Sequence, residues 1–121
     1  MKILHLFADE SGESRFGTYE LPLNLHDDSP PTKPHYFSDP EQAKTYVVVR
    51  CPVGWGGEIH LAPRRQIVFC MSRTMRITTS LGISRDLTPG DAVLLEDTSG
   101  KGHISIVTSK TSFDGVITRL E

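Results

Sequence analysis

The sequence predicts an all-β domain, and three features of the chain support that prediction. Ten glycines and eight prolines are spread over 121 residues, so few stretches are long enough to form a helix. Short runs rich in β-branched side chains lie between these breakers, as is typical of strands. The runs begin about eight to sixteen residues apart, which is the spacing of an antiparallel sandwich or barrel.

Each predicted element follows from its local composition. The seven clearest β-rich runs predict strands at residues 46–51, 58–62, 66–71, 76–80, 92–95, 103–107 and 115–119. Residues 27–40 contain four of the eight prolines, and we expect them to form an extended surface loop. Residues 40–44 follow Asp39, a suitable N-cap, and the sequence leaves open whether they form one helical turn or remain irregular.

Composition and charge narrow the class of protein. Thirteen Lys and Arg against fifteen Asp and Glu give a net charge of −2, which argues against a nucleic-acid binder or a polybasic membrane-surface protein. The longest apolar runs, such as residues 92–95, are far shorter than the roughly twenty residues of a membrane-spanning helix. Cys51 and Cys70 match no metal-knuckle spacing and are expected to be reduced thiols. These features predict one cytoplasmic domain over residues 1–121, with no nucleic-acid or membrane partner.

The most specific part of the sequence, residues 54–107, carries glycines, histidines and a turn at characteristic spacings. The first group is Gly54, His60 and Gln66, and the second is Pro89-Gly90-Asp91, Gly100 and His103. This arrangement resembles the two motifs of the cupin superfamily, in which a Gly, a His-x-His pair and a Glu precede a Pro-Gly-Asp turn, a second Gly and a last His. The resemblance implies a small single-domain cupin, folded as an antiparallel double-stranded β-helix, or jelly-roll barrel.

The chain departs from the cupin pattern at positions that matter for chemistry. Ala62 stands in place of the second histidine, Gln66 in place of the glutamate, and Arg73 in place of the closing glycine of the first motif. In most cupins the two histidines, the glutamate and the last histidine hold one metal ion. The resemblance therefore implies a degenerate metal site at His60, Gln66 and His103.

The identity of the bound group stays open at this point. Imidazole ligands suit zinc, nickel, ferrous iron or copper, and manganese is a further candidate. Glu96 or Asp97, a few residues before His103, would supply the missing negative charge if either side chain turns inward. Without a metal, the same His60, Gln66 and His103 would serve as hydrogen-bonding groups for a ligand.

The pocket and the function follow from the same resemblance. Because alternate side chains of a strand share a face, we expect Trp55, Ala62, Val68 and Cys70 to line the interior beside the polar residues. Two functions are compatible with this pattern: a metal-dependent enzyme acting on a small organic molecule, or a non-catalytic small-ligand binder. No catalytic residue is identifiable, although Glu58, Glu96 and Asp97 are the nearest acidic candidates.

The resemblance also implies a homodimer, because cupins commonly pair or exchange terminal strands. Residues 2–7 form an apolar N-terminal run that would suit pairing along a sheet edge.

Overall fold

Twelve strands and no helix make up the chain in the computed structural model, which describes residues 1–121. The strands are β1 (Lys2–Ala8), β2 (Ser14–Glu20), β3 (Leu23–His26), β4 (His35–Ser38), β5 (Thr45–Cys51), β6 (Gly56–His60), β7 (Gln66–Ser72), β8 (Met75–Thr78), β9 (Ser84–Leu87), β10 (Ala92–Leu95), β11 (His103–Val107) and β12 (Phe113–Arg119). The predicted all-β class is confirmed. No helix long and apolar enough to cross a membrane is present.

The strands form three sheets. The first has six strands in the order β2-β1-β10-β7-β12-β5, the second has four in the order β6-β11-β8-β9, and β3 and β4 form a separate hairpin. All pairs are antiparallel except β1 with β10, which run parallel. None of the three sheets closes into a barrel, so the predicted closed barrel is not observed.

The structure corrects one prediction for residues 27–44 and decides a second point that the sequence left open. The proline-rich segment 27–40 is not loop throughout, because His35–Ser38 forms β4 and pairs with β3. Three of its prolines, at positions 30, 31 and 34, precede this strand and leave its backbone N–H groups free to pair. Residues 41–44 form neither helix nor strand, and the Lys44 N–H donates to the Arg119 carbonyl at 2.8 Å.

Strand β1 lies inside the six-stranded sheet, not at its edge. It pairs with β2 along its whole length and with β10 at Leu4 to Leu6. Leu6 is fully buried and packs in the core, which favours an interior position for the strand. The expectation that residues 2–7 supply a free edge for a second copy is therefore wrong, because both sides of β1 are occupied.

The hydrophobic core lies where the two larger sheets face each other. Leu6, Val93 and Leu95 from the six-stranded sheet and Met75 and Ile77 from the four-stranded sheet belong to one buried cluster. Burial of an aliphatic side chain of this kind contributes about 1.5–3 kcal/mol. Packing between these two faces therefore contributes substantially to the stability of the fold.

One backbone feature links the fold to the sequence pattern. The three glycines that match the resemblance, Gly54, Gly90 and Gly100, have φ values of 75°, 93° and 82°. Arg73 has a φ of 70° and is the one non-glycine residue in this left-handed region. It occupies the position that matches the closing glycine of the first cupin motif. The backbone there has a conformation that glycine adopts without strain and that the arginine side chain disfavours.

We predict that Arg73→Gly stabilises the protein. A residue other than glycine destabilises the folded state by about 1–2 kcal/mol in the left-handed region. Glycine loses more conformational entropy on folding, which offsets about 0.5–1 kcal/mol of the gain from the substitution. The free energy of unfolding, measured by urea denaturation, should therefore rise by about 0.5–1 kcal/mol. The matched control Arg64→Gly, at an exposed position without a positive φ, should lower it. An unchanged or lower stability of Arg73→Gly would contradict the prediction.

Candidate functional site

A cavity of about 180 Å³ lies between the two larger sheets. Eleven of its fifteen lining residues are hydrophobic, so its walls are mostly apolar. The four polar residues that line it are His60, Gln66, His103 and Ser105. The structure therefore brings all three residues predicted as metal ligands to one cavity.

Strand pairing places the two histidines side by side. His60 ends β6 and His103 begins β11, and the two are directly opposite in the antiparallel register. Opposite residues in such a pair point to the same face, and the ring centroids are 4.5 Å apart. His103 is buried and His60 is exposed, so His103 forms the inner part of the pair and His60 lies toward solvent.

Hydrogen bonds define which ring nitrogen of each histidine stays free. His103 Nδ1 lies 2.5 Å from Oδ2 of Asp97, a carboxylate with no exposed surface, and donates to it. His60 Nδ1 lies 3.0 Å from the carbonyl oxygen of Glu58, which can only accept, so this nitrogen also donates. In the neutral tautomer each Nε2 atom then carries a lone pair. Both imidazoles therefore have Nε2 as an acceptor atom.

Two buried oxygen atoms near this end of the core lack a partner. Gln66 begins β7 and is 6% exposed, and its Oε1 atom accepts no hydrogen bond; the same is true of Asp97 Oδ1. A buried acceptor left unpaired costs about 1–3 kcal/mol, and native proteins rarely leave one without a reason. The Gln66 side chain lines the cavity, and its buried oxygen has no hydrogen-bond partner among the groups of the protein.

The two consecutive acidic residues after β10 have different roles. Asp97 turns into the core and holds His103. Glu96 turns away from the cavity, where its carboxylate accepts from His5 Nε2 at 2.5 Å and from Arg65 Nε at 2.7 Å. Burial opposes ionisation of Glu96, but the hydrogen bonds from Arg65 and His5 prevail and lower its pKa. Of the two anions considered for the site, only Asp97 reaches it, as the partner of a histidine.

Two of the four predicted pocket residues line the cavity and two do not. Trp55 and Val68 line the cavity, whereas Ala62 and Cys70 do not and instead pack in the buried core cluster. The Ala62 N–H donates to the Asp97 carbonyl at 3.1 Å, which ties it to the residue behind His103. The Cys70 thiol donates to the Arg73 carbonyl at 3.2 Å.

Sequence reasoning missed most of the residues that line the cavity, and alternation along a strand would have identified one of them, Ser105. Ser105 follows His103 by two positions on β11 and lines the same cavity. Cys51 ends β5 and also lines it. Burial raises the pKa of the Cys51 thiol, with a smaller contribution from Asp114, so the thiol is neutral near pH 7. It serves the cavity as a small apolar wall.

Two imidazoles and an amide oxygen are chemically able to bind a divalent metal ion, but together they carry no negative charge. No third imidazole, thiol or carboxylate joins His60 and His103 in a metal-binding group, so a third ligand would have to be the amide oxygen of Gln66, which lines the same cavity. The Asp97–His103 contact is the arrangement that commonly supports a metal-bound imidazole from behind. All three ligand atoms would be neutral, which predicts weaker binding than a set containing a carboxylate.

No protein-family model matches the chain, and no curated protein matches it significantly. The interpretation of the site therefore rests on its own geometry.

We predict that the Asp97 carboxylate is needed for stability because it is the one partner of the buried His103 Nδ1–H. Asp97→Ala leaves that donor unpaired in the core and should lower the free energy of unfolding by about 2–4 kcal/mol. Asp97→Asn should cost less, since its amide oxygen can still accept the hydrogen bond. Urea denaturation measures both. The exposed Asp39→Ala should change stability by less than about 0.5 kcal/mol. Equal stability of the Ala variant and the wild type would refute this role.

Proposed function

We propose that this chain is a cupin-type domain that binds one small organic molecule in the cavity, with the polar group of that molecule at His60, Gln66 and His103. Support for the cupin assignment comes from the motif spacing, the two facing sheets and the glycine-like backbone at Arg73. The pairing of His60 with His103 across β6 and β11 adds to this, because the resemblance relates these two residues to a shared site.

Size and lining limit the class of ligand. At about 180 Å³ the cavity is slightly larger than the roughly 150 Å³ that accommodates benzene in an engineered protein core. Its walls are apolar, and no Lys or Arg is among the lining residues, so no fixed cation is present to hold a carboxylate. These features favour a compact, largely apolar molecule of about six to ten non-hydrogen atoms with one polar group.

One observation carries the proposal: the polar end of the cavity presents acceptors. With both Nδ1 atoms donating elsewhere, His60 and His103 offer Nε2 lone pairs, and Gln66 adds a buried oxygen without a partner. Acceptors are satisfied by a positive ion or by hydrogen atoms of a donor. The occupant must therefore include a metal ion or a hydroxyl, amine or similar donor.

A divalent metal ion is the first candidate for that role. His60, Gln66 and His103 would hold it, and its chemistry would be the polarisation of an oxygen atom of the bound molecule. Asp97 keeps His103 oriented and increases the basicity of its free nitrogen. Trp55, at 44% exposure, lines the cavity and is also in contact with solvent.

Metal-free binding is the second candidate, and the engagement of Asp97 favours it. Because this carboxylate already accepts from His103, no anion remains among the three donors to offset the charge of a cation. In this case a hydroxyl or amine of the ligand donates directly to the histidine nitrogens or to Gln66. The apolar walls then supply most of the binding free energy.

Metal analysis tests the first candidate. Protein purified without chelator is incubated with zinc, nickel, copper, ferrous iron or manganese, and bound metal per chain is measured by mass spectrometry. We expect near-stoichiometric binding that weakens at least about 10-fold in His60→Ala, because one of three ligands is lost. His35→Ala, in the β3–β4 hairpin, is the matched control and should bind like the wild type. Absence of metal under all five conditions would eliminate the first candidate.

Trp55 fluorescence tests ligand binding with and without metal. This side chain is the single tryptophan of the chain and lines the cavity, so its emission reports on occupancy. Phenol, which has seven non-hydrogen atoms and one hydroxyl donor, is the probe. Saturable quenching or a spectral shift is expected, and Val68→Phe should abolish it by filling the cavity. Val47→Phe, at an exposed position, is the control. If neither metal nor phenol binds, the proposed function is wrong.

A further inference from the structure

A second cleft, of about 440 Å³, opens at the end of the molecule opposite the polar end of the cavity. Strand β7 begins at Gln66, which lines the cavity, and ends at Ser72, which lines the cleft, so the two sites lie about 20 Å apart. Met71 is the one hydrophobic residue among the eight that line the cleft. The cleft is therefore a polar site separate from the cavity.

The lining of the cleft carries a net positive charge, although the whole chain has a net charge of −2. Arg50 and Arg73 supply two positive charges, and Asp114 supplies one negative charge. Arg50 holds Asp114 through Nε and Nη2, at 2.8 and 3.0 Å, so these two charges offset each other. The Arg73 guanidinium forms no ion pair with any carboxylate of the protein. Arg73 is thus the uncompensated charge of the cleft.

The backbone at Arg73 is strained and is held in place from both sides. Its φ of 70° lies in the left-handed region. The Arg73 carbonyl accepts from the Cys70 thiol at 3.2 Å, and the N–H of Thr74 donates to Ser109 Oγ at 3.3 Å. Strained residues that persist in this way cluster at ligand-binding sites, where the strain fixes the direction of a side chain. The structure therefore presents the Arg73 side chain to the cleft from a preorganised turn.

The loop that faces this turn adds neutral donors. Thr111 and Ser112 line the cleft, and their hydroxyl groups form no hydrogen bond with the protein. Ser109 Oγ, which accepts from the turn, also donates to the Thr111 carbonyl at 2.9 Å and so ties the loop to the turn. Arg50 keeps its Nη1 group free, since its bonds to Asp114 use Nε and Nη2. Two guanidinium groups and two hydroxyls are thus left with unused donors around one cleft.

We propose that this cleft binds a phosphate group, either as the free ion or on a small polar molecule. Arg73 is the main charged contact, and Arg50, Thr111 and Ser112 are further donors. Guanidinium groups bind phosphate oxygens through paired hydrogen bonds, and a phosphate offers more acceptor oxygens and more charge than a carboxylate. Phosphate therefore uses more of this donor set than a carboxylate does. The inference is independent of the ligand proposed for the cavity.

Phosphate titration of the full chain provides the test. Protein labelled with ¹⁵N is titrated with inorganic phosphate at constant ionic strength, because salt screens exposed charges. We expect saturable shifts of the amide resonances of Arg73, Thr111 and Ser112, while those of His60 and His103 stay unchanged. Arg73→Gly should weaken binding at least about 10-fold, since it removes the uncompensated guanidinium. This variant is suited to the test because glycine adopts the backbone conformation at position 73 without strain.

Arg64→Gly is the matched control. It removes the same charge from an exposed position close to the start of β7, at the other end of the molecule. Its phosphate affinity should stay within about 2-fold of the wild-type value, since a distant exposed charge is screened. Arg73→Lys keeps the charge but loses the paired donors, so its affinity should fall between those of the wild type and Arg73→Gly. Equal losses in Arg64→Gly and Arg73→Gly would show a general charge effect and overturn the proposal.

Two further ligands decide the chemical class. Acetate is the carboxylate probe, and binding of acetate as tight as that of phosphate would overturn the assignment to phosphate. Glycerol phosphate distinguishes the two sources of the group: tighter binding than inorganic phosphate supports a site for an organic phosphate, and equal affinity supports a site for the free ion. Absence of saturable shifts at tens of millimolar phosphate, or undiminished binding by Arg73→Gly, would overturn the proposal while leaving the proposed function of the cavity untouched.

Discussion

The packing of the six-stranded sheet against the four-stranded sheet is the constraint on which the rest of this structure depends. Leu6, Val93 and Leu95 on one face and Met75 and Ile77 on the other form one buried cluster, and this contact sets the separation of the sheets. The same packing leaves a cavity of about 180 Å³ beside the cluster. Because the strands that bear His60 and His103 belong to the smaller sheet, the position of both imidazoles follows from the apolar contacts beneath them.

Within that frame the buried Asp97–His103 hydrogen bond gives the cavity its chemical character. It fixes the tautomer and orientation of one imidazole, while the Glu58 carbonyl does the same for His60. The cavity consequently combines apolar walls with a small polar end that His60, Gln66 and His103 line. A site of this kind selects a ligand by the ligand's size and by its donor group or charge. The apolar walls contribute binding free energy but do not orient the ligand.

The apolar wall and the polar end of the cavity are formed by different strands. Val49 and Cys51 at the end of β5 form part of the cavity wall, whereas the first half of β5 is exposed at the sheet edge. The polar end of the cavity is formed by residues of β6, β7 and β11.

The sequence by itself determined the all-β class and most of the strands in the second half of the chain, because these depend on local composition and spacing. Its resemblance to the cupin motifs predicted that His60, Gln66 and His103 lie together, and all three line one cavity. It did not determine that β1 is an interior strand, or that His35 to Ser38 form a hairpin strand within a proline-rich segment. It also did not show that Asp97 turns inward while Glu96 turns out, or that Cys51 rather than Cys70 lines the cavity. Only the tertiary structure decided these features. Each depends on contacts between residues far apart in the chain, which local pattern does not encode.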